Sequence, residues 1–275
     1  MIKMPELPEV ETIRLQMEDE LKEKKIESIK VLSDKPLKNV TLEEFAERVE
    51  GASVKAVKRR AKILIIELST GDSLLIHLKL TGRLLYLAPS EPIEKHTHLI
   101  FNLNDGNQLR FWDLRQFGYV KLVSGKLSEA PELKGLGPEA LELSLGEFSK
   151  LMKSKRSGKI KPLLMNQNFI AGIGNIYSDE ALFYAAIHPE RDVSALKEEE
   201  IARLYEGIRK IMLSAISYRG SSMDDYVDLY GKQGDFVSHH KVYRKTGQVC
   251  EKCGGSIKRI KLGGRSAHFC PKCQV

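Results

Sequence analysis

The sequence predicts an α+β chain of several domains, and three observations carry that expectation. The first half alternates short apolar runs with turn signals, as antiparallel strands do. The second half places apolar residues at helical spacing. All four cysteines lie near the C-terminal end, as two Cys-x-x-Cys pairs. At 275 residues the chain suits about two domains with conventional cores. No window approaches the ~18–20 uninterrupted apolar residues of a bilayer helix, and the composition is neither collagen-like nor disordered. With no secretory signal visible, the expected location is the cytoplasm.

The elements follow in order. Pro5–Lys25 carries Val10, Ile13, Met17 and Leu21 at helical spacing, with acids early and lysines late, as the helix dipole favours. Strand-like runs come next at Ile26–Leu32, Val54–Leu68, Ser73–Leu87, His98–Asn102 and Gln108–Val123, with a short helical insert at Thr41–Glu50. Ser124–Pro138, with its Gly, Pro and Ser, reads as a connection. Helices are expected over Leu145–Lys155, Pro162–Gln167, Tyr177–Ala186 and Lys197–Tyr218, their apolar stripes serving a core. Ala171-Gly-Ile-Gly-Asn175 feeds the third of these, and a glycine-rich turn at a helix N-terminus can cradle phosphate, though such glycines are often only turns.

Charge is unevenly placed. The formal balance is +7, yet His239–Val275 holds nine basic residues against the single acid Glu251, leaving the first 238 residues slightly acidic. Two short basic clusters, Lys55–Lys62 and Lys150–Lys161, interrupt that body. One cluster alone is as readily a solvated face; three together favour a phosphate-binding surface. In the basic tail, Cys250, Cys253, Cys270 and Cys273 have the spacing of a four-thiolate zinc site. Two disulfides or a redox pair are the alternatives, disfavoured by that spacing and compartment. Gly254-Gly255 and Gly263-Gly264 fit the turns of a β-hairpin finger presenting Arg265, folded by one structural Zn²⁺.

Taken together, Pro5-Glu-Leu-Pro-Glu-Val-Glu-Thr12, Lys62 in Arg-Arg-Ala-Lys, His77-Leu-Lys-Leu-Thr-Gly82, Asp113-Leu-Arg-Gln-Phe-Gly118, Leu136-Gly-Pro-Glu139, Gly172-Ile-Gly-Asn-Ile-Tyr177 and the terminal cysteine pairs resemble the formamidopyrimidine-DNA glycosylases. The resemblance runs in order from Met4 to the end, and its opening is closer to the oxidised-purine branch than to the endonuclease VIII-like branch. It implies an N-terminal catalytic β-sandwich with flanking helices (1–128), a linker (129–138), a helix-two-turn-helix DNA-binding domain (139–238) and a zinc finger (239–275). It further implies a bacterial, nucleoid-associated base-excision repair enzyme acting as a monomer on double-stranded DNA with oxidised bases or abasic sites. Such an enzyme excises 8-oxoguanine and formamidopyrimidines, then nicks the strand by β,δ-elimination.

The chemistry requires a nucleophile at the sugar C1′ of an extruded nucleotide and a cationic imine that acidifies the C2′ proton. The family uses an N-terminal proline, here Pro5. An α-amine with a pKa near 8 is about a tenth unprotonated at pH 7, against on the order of 0.04% for an ordinary lysine. Lys62 is therefore better suited as a cation near phosphate or damaged base, and Glu6 as the proton shuttle. Lys62, His77, Asn175 and Arg265 match the phosphate-clamping positions, with Tyr243 weaker. Leu80, Arg115 and Phe117 match the residues that fill the gap of the flipped base; Leu80 stands where methionine is common. Gly220–Phe236 resembles the loop that closes over the base, its glycines suiting a mobile lid. Glu9 and Glu180 are candidates for ordering the site.

Met1-Ile-Lys precedes the family-like Met4-Pro5, and in the literal chain the Pro5 nitrogen is an amide. The expectation is that translation starts at Met4, with that methionine removed. If Met1–Lys3 are retained, the alternative is a non-catalytic binder of damaged DNA. A same-fold glycosylase for oxidised pyrimidines is a second alternative. A zinc-ribbon RNA-binding protein would explain the tail but not the Pro5-Glu6 terminus.

Overall fold

The structure is a computed structural model and describes residues 4–223 and 225–275; Met1, Ile2, Lys3 and Asp224 lie outside the described residues. Two compact units form: the chain up to Lys134 together with Tyr218–Val237, and Gly135–Ser217 together with Ser238–Val275.

The first unit opens with α1 (Leu7–Leu21), started by a capping box in which Glu6 is the N-cap and Glu9 its partner. Then follow β1 (Ile26–Val31), β2 (Leu37–Lys38), α2 (Leu42–Val49), β3 (Val54–Arg60), β4 (Ile63–Leu68), β5 (Ser73–His77), β6 (Gly82–Leu87), β7 (Thr97–Leu103), β8 (Gln108–Asp113) and β9 (Tyr119–Val123). Two sheets result, a four-stranded one in the order β1-β7-β8-β6 and a five-stranded one in the order β2-β9-β5-β4-β3. All neighbours are antiparallel except the short parallel pair β2–β9. Leu64, Ile66, Leu74, Ile76 and Val120 from the larger sheet share one core with Leu84, Leu99, Phe101, Leu109 and Phe111 from the smaller, and the Val10-Ile13-Met17-Leu21 stripe of α1 joins it. This is the expected β-sandwich with flanking helices.

Ile63–Ile66 is apolar on both faces for a reason. Leu64 and Ile66 point into the core, while Ile63 and Ile65 meet Leu75 and Ala130 on the other side. Three of the expected strand runs are each two strands. Val54–Leu68 is the hairpin β3–β4, turning at Ala61, which takes a φ of +53°. Ser73–Leu87 and Gln108–Val123 each cross from one sheet to the other, at 78–81 and 114–118, where Lys79 and Gln116 reverse the backbone with φ of +53° and +58°. At the end of the first crossing a Cβ on Gly82 would lie 2.5 Å from the Leu78 carbonyl oxygen, so only glycine fits. Apolar residues continue through both crossings, which hides the breaks from a periodicity argument. The registers His77↔Tyr119 and Gly82↔Asp113 set the two crossings side by side.

The second unit holds α3 (Leu145–Lys153), α4 (Ile160–Leu164), α5 (Asn175–Ala185), α6 (Glu198–Ser217) and the hairpin β10 (Lys258–Leu262) and β11 (Arg265–Phe269). Every residue of α5 except Tyr184 is buried, which makes it the axis of the unit. Gly207 lets α6 approach it closely, since a Cβ there would meet Tyr184 at 2.8 Å. The Gly263-Gly264 loop has positive φ at both positions, as a two-residue hairpin turn requires. Among the described residues no helix is long and apolar enough to cross a membrane.

Candidate active site

In the first unit the start of α1 is sunk into the protein. Pro5 is buried and Glu6 is 2% exposed. Glu9 holds this end from below: its Oε2 accepts the Glu6 N–H at 2.8 Å and its Oε1 accepts the Ser221 N–H at 2.8 Å. The expected lid is thus tied to the turn that carries Pro5 and Glu6. Gly220 is required at that contact, because a Cβ would come within 2.9 Å of the Glu9 carboxylate. Tyr226, Asp228 and Leu229 are also buried, with the Asp228 carboxylate and the Leu229 N–H bonded to Gln16 of α1. Much of the lid segment is therefore an anchored part of the unit. Asp224, which falls in it, is outside the described residues.

Lys62 stands at the β3–β4 turn and is almost wholly buried. Arg59 fixes that turn to α1, donating from Nε to Glu11 Oε2 at 2.7 Å and from Nη1 to the Ala61 carbonyl at 2.8 Å. His77 ends β5, its ring against Tyr119 at a centroid distance of 5.7 Å. Its Nδ1 accepts the Lys79 N–H at 3.0 Å, so the neutral ring carries its proton on Nε2, ready to donate. Burial, then the charges of Lys79 and Lys62, hold its pKa at about 3. Lys62 and His77 therefore share one electrostatic neighbourhood, one cationic and one neutral.

Leu80 lies on the first crossing, and Arg115 and Phe117 on the second. Phe117 is 53% exposed, unusual for a large aromatic, with the Arg115 guanidinium 5.0 Å from its ring centroid. Beneath them lies the fully buried Asp113 carboxylate. It accepts the Thr81 hydroxyl, the Arg115 N–H at 3.2 Å and the Gly118 N–H at 2.7 Å.

In the second unit the glycine turn before α5 is pinned by Gln167, which accepts from Gly172 N–H at 2.9 Å and donates to the Ile173 carbonyl at 2.8 Å. Asn175 is the first residue of α5 rather than its cap, and its buried Oδ1 has no hydrogen-bond partner among the described residues. Glu180, farther along α5, accepts the backbone N–H groups of Lys241, Val242 and Tyr243 at 2.8, 3.0 and 2.8 Å. Burial pushes its pKa up, against those three donors. The Tyr243 ring is buried between His240 and His268, 5.8 and 4.9 Å away. Arg265 is exposed at the tip of the β10–β11 hairpin. Asp179 secures that hairpin, accepting from His268 N–H at 2.9 Å and from Lys161 Nζ at 2.5 Å, while Lys161 also donates to the Ser266 carbonyl at 2.6 Å. The basic clusters are accordingly weaker surfaces than their composition suggests, because Lys161 and Arg59 are committed to internal pairs.

The four cysteine sulfurs lie within 4.8 Å of one another, with Cys250 to Cys273 at 3.9 Å and Cys253 to Cys270 at 3.4 Å. A tetrahedral Zn–S length of about 2.3 Å places sulfurs roughly 3.8 Å apart, so the set fits one structural zinc. No other group of three or more His, Cys, Asp and Glu among the described residues is gathered in this way.

Family models match nearly the whole chain. The formamidopyrimidine-DNA glycosylase N-terminal domain matches residues 4–120, the H2TH domain of the same proteins 136–227, and a zinc finger found in FPG and IleRS 247–275. The formamidopyrimidine-DNA glycosylase of Pelotomaculum thermopropionicum is 45% identical over 273 residues, covering 98% of this chain and 99% of the relative. The chain belongs to the formamidopyrimidine-DNA glycosylase family. The Carboxydothermus hydrogenoformans glycosylase is likewise 45% identical, over 98% of this chain and 100% of its own. Among solved structures, the Lactococcus lactis glycosylase in complex with DNA containing an abasic site aligns with a TM-score of 0.89 at 36% identity, over 98% of this chain and 99% of that one. A point mutant of that enzyme, bound to DNA containing Fapy-dG, aligns equally well.

The formamidopyrimidine-DNA glycosylase motifs named Leu80, Arg115 and Phe117 but passed over the residues that hold them. Asp113 closes the mostly buried strand β8, and an acid in that place signals a buried acceptor. Asp179 gives a stronger one, since an acid next to the candidate Glu180, in a helix otherwise made of apolar and small residues, must also find donors.

Proposed function

We infer that this chain is a bifunctional DNA glycosylase and abasic-site lyase of base-excision repair, acting on oxidised purines in double-stranded DNA. One observation carries the reading: all three family modules are present in order, and the chain places Pro5-Glu6 at the buried start of α1 beside the Lys62 turn. With Pro5 as the N-terminal residue, its secondary amine attacks C1′ of the extruded nucleotide and the damaged base departs with its bonding electrons. Glu6, held at the helix start by Glu9, shuttles a proton from the proline nitrogen to the departing base or to O4′, whose bond to C1′ breaks to open the sugar ring. The iminium left on the proline nitrogen is charged without taking up a proton and acidifies the C2′ proton, so elimination of the 3′ and then the 5′ phosphate follows.

Lys62, the Nε2–H of His77, Asn175 and Arg265 are assigned to the phosphates, with Tyr243 in a supporting place. Leu80, Arg115 and Phe117 are assigned to the gap in the stack. Zinc supplies no chemistry in this reading; it folds the finger that presents Arg265. The division into 1–128, 129–138, 139–238 and 239–275 describes these roles, and the enzyme acts as a monomer on chromosomal DNA in the cytoplasm.

The test is incubation of protein beginning at Pro5 with an 8-oxoguanine:cytosine duplex, with and without borohydride. Strand cleavage without borohydride and a covalent complex with it are expected. Absence of both refutes the enzyme reading.

A further inference from the structure

We propose that Asp113 is the positioning residue that holds the gap-filling side chains Leu80, Arg115 and Phe117 ready before DNA arrives. The proposal rests on the assignment of those three residues to the flipped-out gap. Neither crossing is regular structure, and each contains a non-glycine residue in the left-handed region, Lys79 and Gln116. Such segments hold one shape only when their surroundings fix them.

The Lys79 N–H is bonded to His77 Nδ1 within the first crossing, but the group that ties the two crossings to each other is a single carboxylate. Through Thr81 it holds the first crossing one residue from Leu80. Through the N–H groups of Arg115 and Gly118 it holds both ends of the 115–118 segment, with Phe117 between them. The Arg115 N–H is shared, donating to the Thr81 hydroxyl oxygen at 3.0 Å as well, which closes a triangle between the two crossings. Asp113 itself is anchored from behind: its carbonyl oxygen meets His98 Nε2, in β7, at 2.8 Å and its N–H donates to the carbonyl of His96, just before β7, at 3.0 Å. A Cβ on Gly118 would lie 3.0 Å from Asp113 Oδ2 and 2.8 Å from Phe111, so the close approach is built into the sequence.

An amide cannot replace this carboxylate. With its oxygen facing Thr81 and Arg115, the amide introduced by Asp113→Asn would turn N–H groups toward the Gly118 N–H. Reversed, it would lose the Arg115 N–H. A wedge left to wander would fill the gap of an extruded nucleotide only part of the time. A single strand has no such gap to fill.

Single-turnover base excision from an 8-oxoguanine:cytosine duplex, compared with scission of a single-stranded oligonucleotide carrying an abasic site, separates positioning from folding. Asp113→Asn and Thr81→Val are each expected to lower the duplex-to-single-strand activity ratio about tenfold, the size of one lost hydrogen bond to a charge. Thr81→Ser, which keeps the hydroxyl, restores the ratio. Phe117→Ala, which removes the wedge itself, lowers the ratio too. If Phe117→Ala lowers it while Asp113→Asn and Thr81→Val leave it unchanged, the positioning role is overturned. If those two lower both activities in parallel with the thermal midpoint, Asp113 is merely structural and the proposal fails. If Phe117→Ala does not change the ratio, the gap-filling assignment falls, and the proposal with it.

Discussion

His77 shows how a residue type misleads and its surroundings correct. An imidazole proposed to meet phosphate invites the idea of a cation, yet burial and two neighbouring lysines keep this ring neutral at pH 7, with a pKa of about 3. The unfolded chain takes up a proton near pH 6.5 and the native chain does not until about pH 3, so folding stability contributed by the neutral ring is complete above pH 6.5 and lost as pH falls below it. His77→Asn should remove on the order of 1–2 kcal/mol of the stability difference between pH 7 and pH 5, read by urea unfolding at both pH values. An unchanged difference would contradict the neutral-ring assignment. Gly118 offers a second check. Its replacement by alanine forces a methyl against Phe111 and Asp113 and should cost about 1–3 kcal/mol in thermal or urea unfolding. A cost within the scatter of surface substitutions would show that the crossings yield.

At the scale of elements, what could be read from the sequence divides by mechanism. Helices α1, α2, α3 and α6 follow their apolar spacing within a few residues, because one face of each is buried, whereas α5 is buried on nearly all sides and is marked by its run of apolar and small residues. The strand runs locate the sheets but not the crossings, since apolar residues such as Leu78, Leu80, Leu114 and Phe117 continue through them. The two-residue β2, paired in parallel with β9, carries no periodicity to detect. In the second unit α5 and the finger depend on each other through Asp179, Lys161, His268 and Glu180. Asp179→Ala would strand the Lys161 ammonium, 1% exposed, and should cost about 3–5 kcal/mol in denaturant unfolding. A double replacement, Lys161→Met with Asp179→Leu, should recover only part of that loss, since the buried His268 N–H still lacks the acceptor that Asp179 provides. Cys250→Ser should eliminate bound zinc, one ion per chain in the parent, and weaken duplex binding at least about tenfold by releasing the hairpin that carries Arg265. Full binding by zinc-free protein would contradict the finger's role.

For the whole molecule, the bulk charge of +7 was the least informative number, and the order of motifs the most. The zinc ligands were legible because a metal demands fixed residue types at fixed spacing. The proposed N-terminal site rests on a sequence signal of the same kind, a proline followed by an acid. The supporting groups were not legible, since Arg59, Glu11, Gln167 and Asp113 take their roles only through contacts formed once the chain has folded. The central claim is that the proline amine at position 5 is the nucleophile. It is tested most directly by reducing the complex of the Pro5-started protein with 8-oxoguanine duplex, digesting it, and locating the attached sugar by peptide mass. The attachment is predicted on the N-terminal peptide at Pro5. Attachment at Lys62 or any other lysine, with Pro5 unmodified, would contradict it.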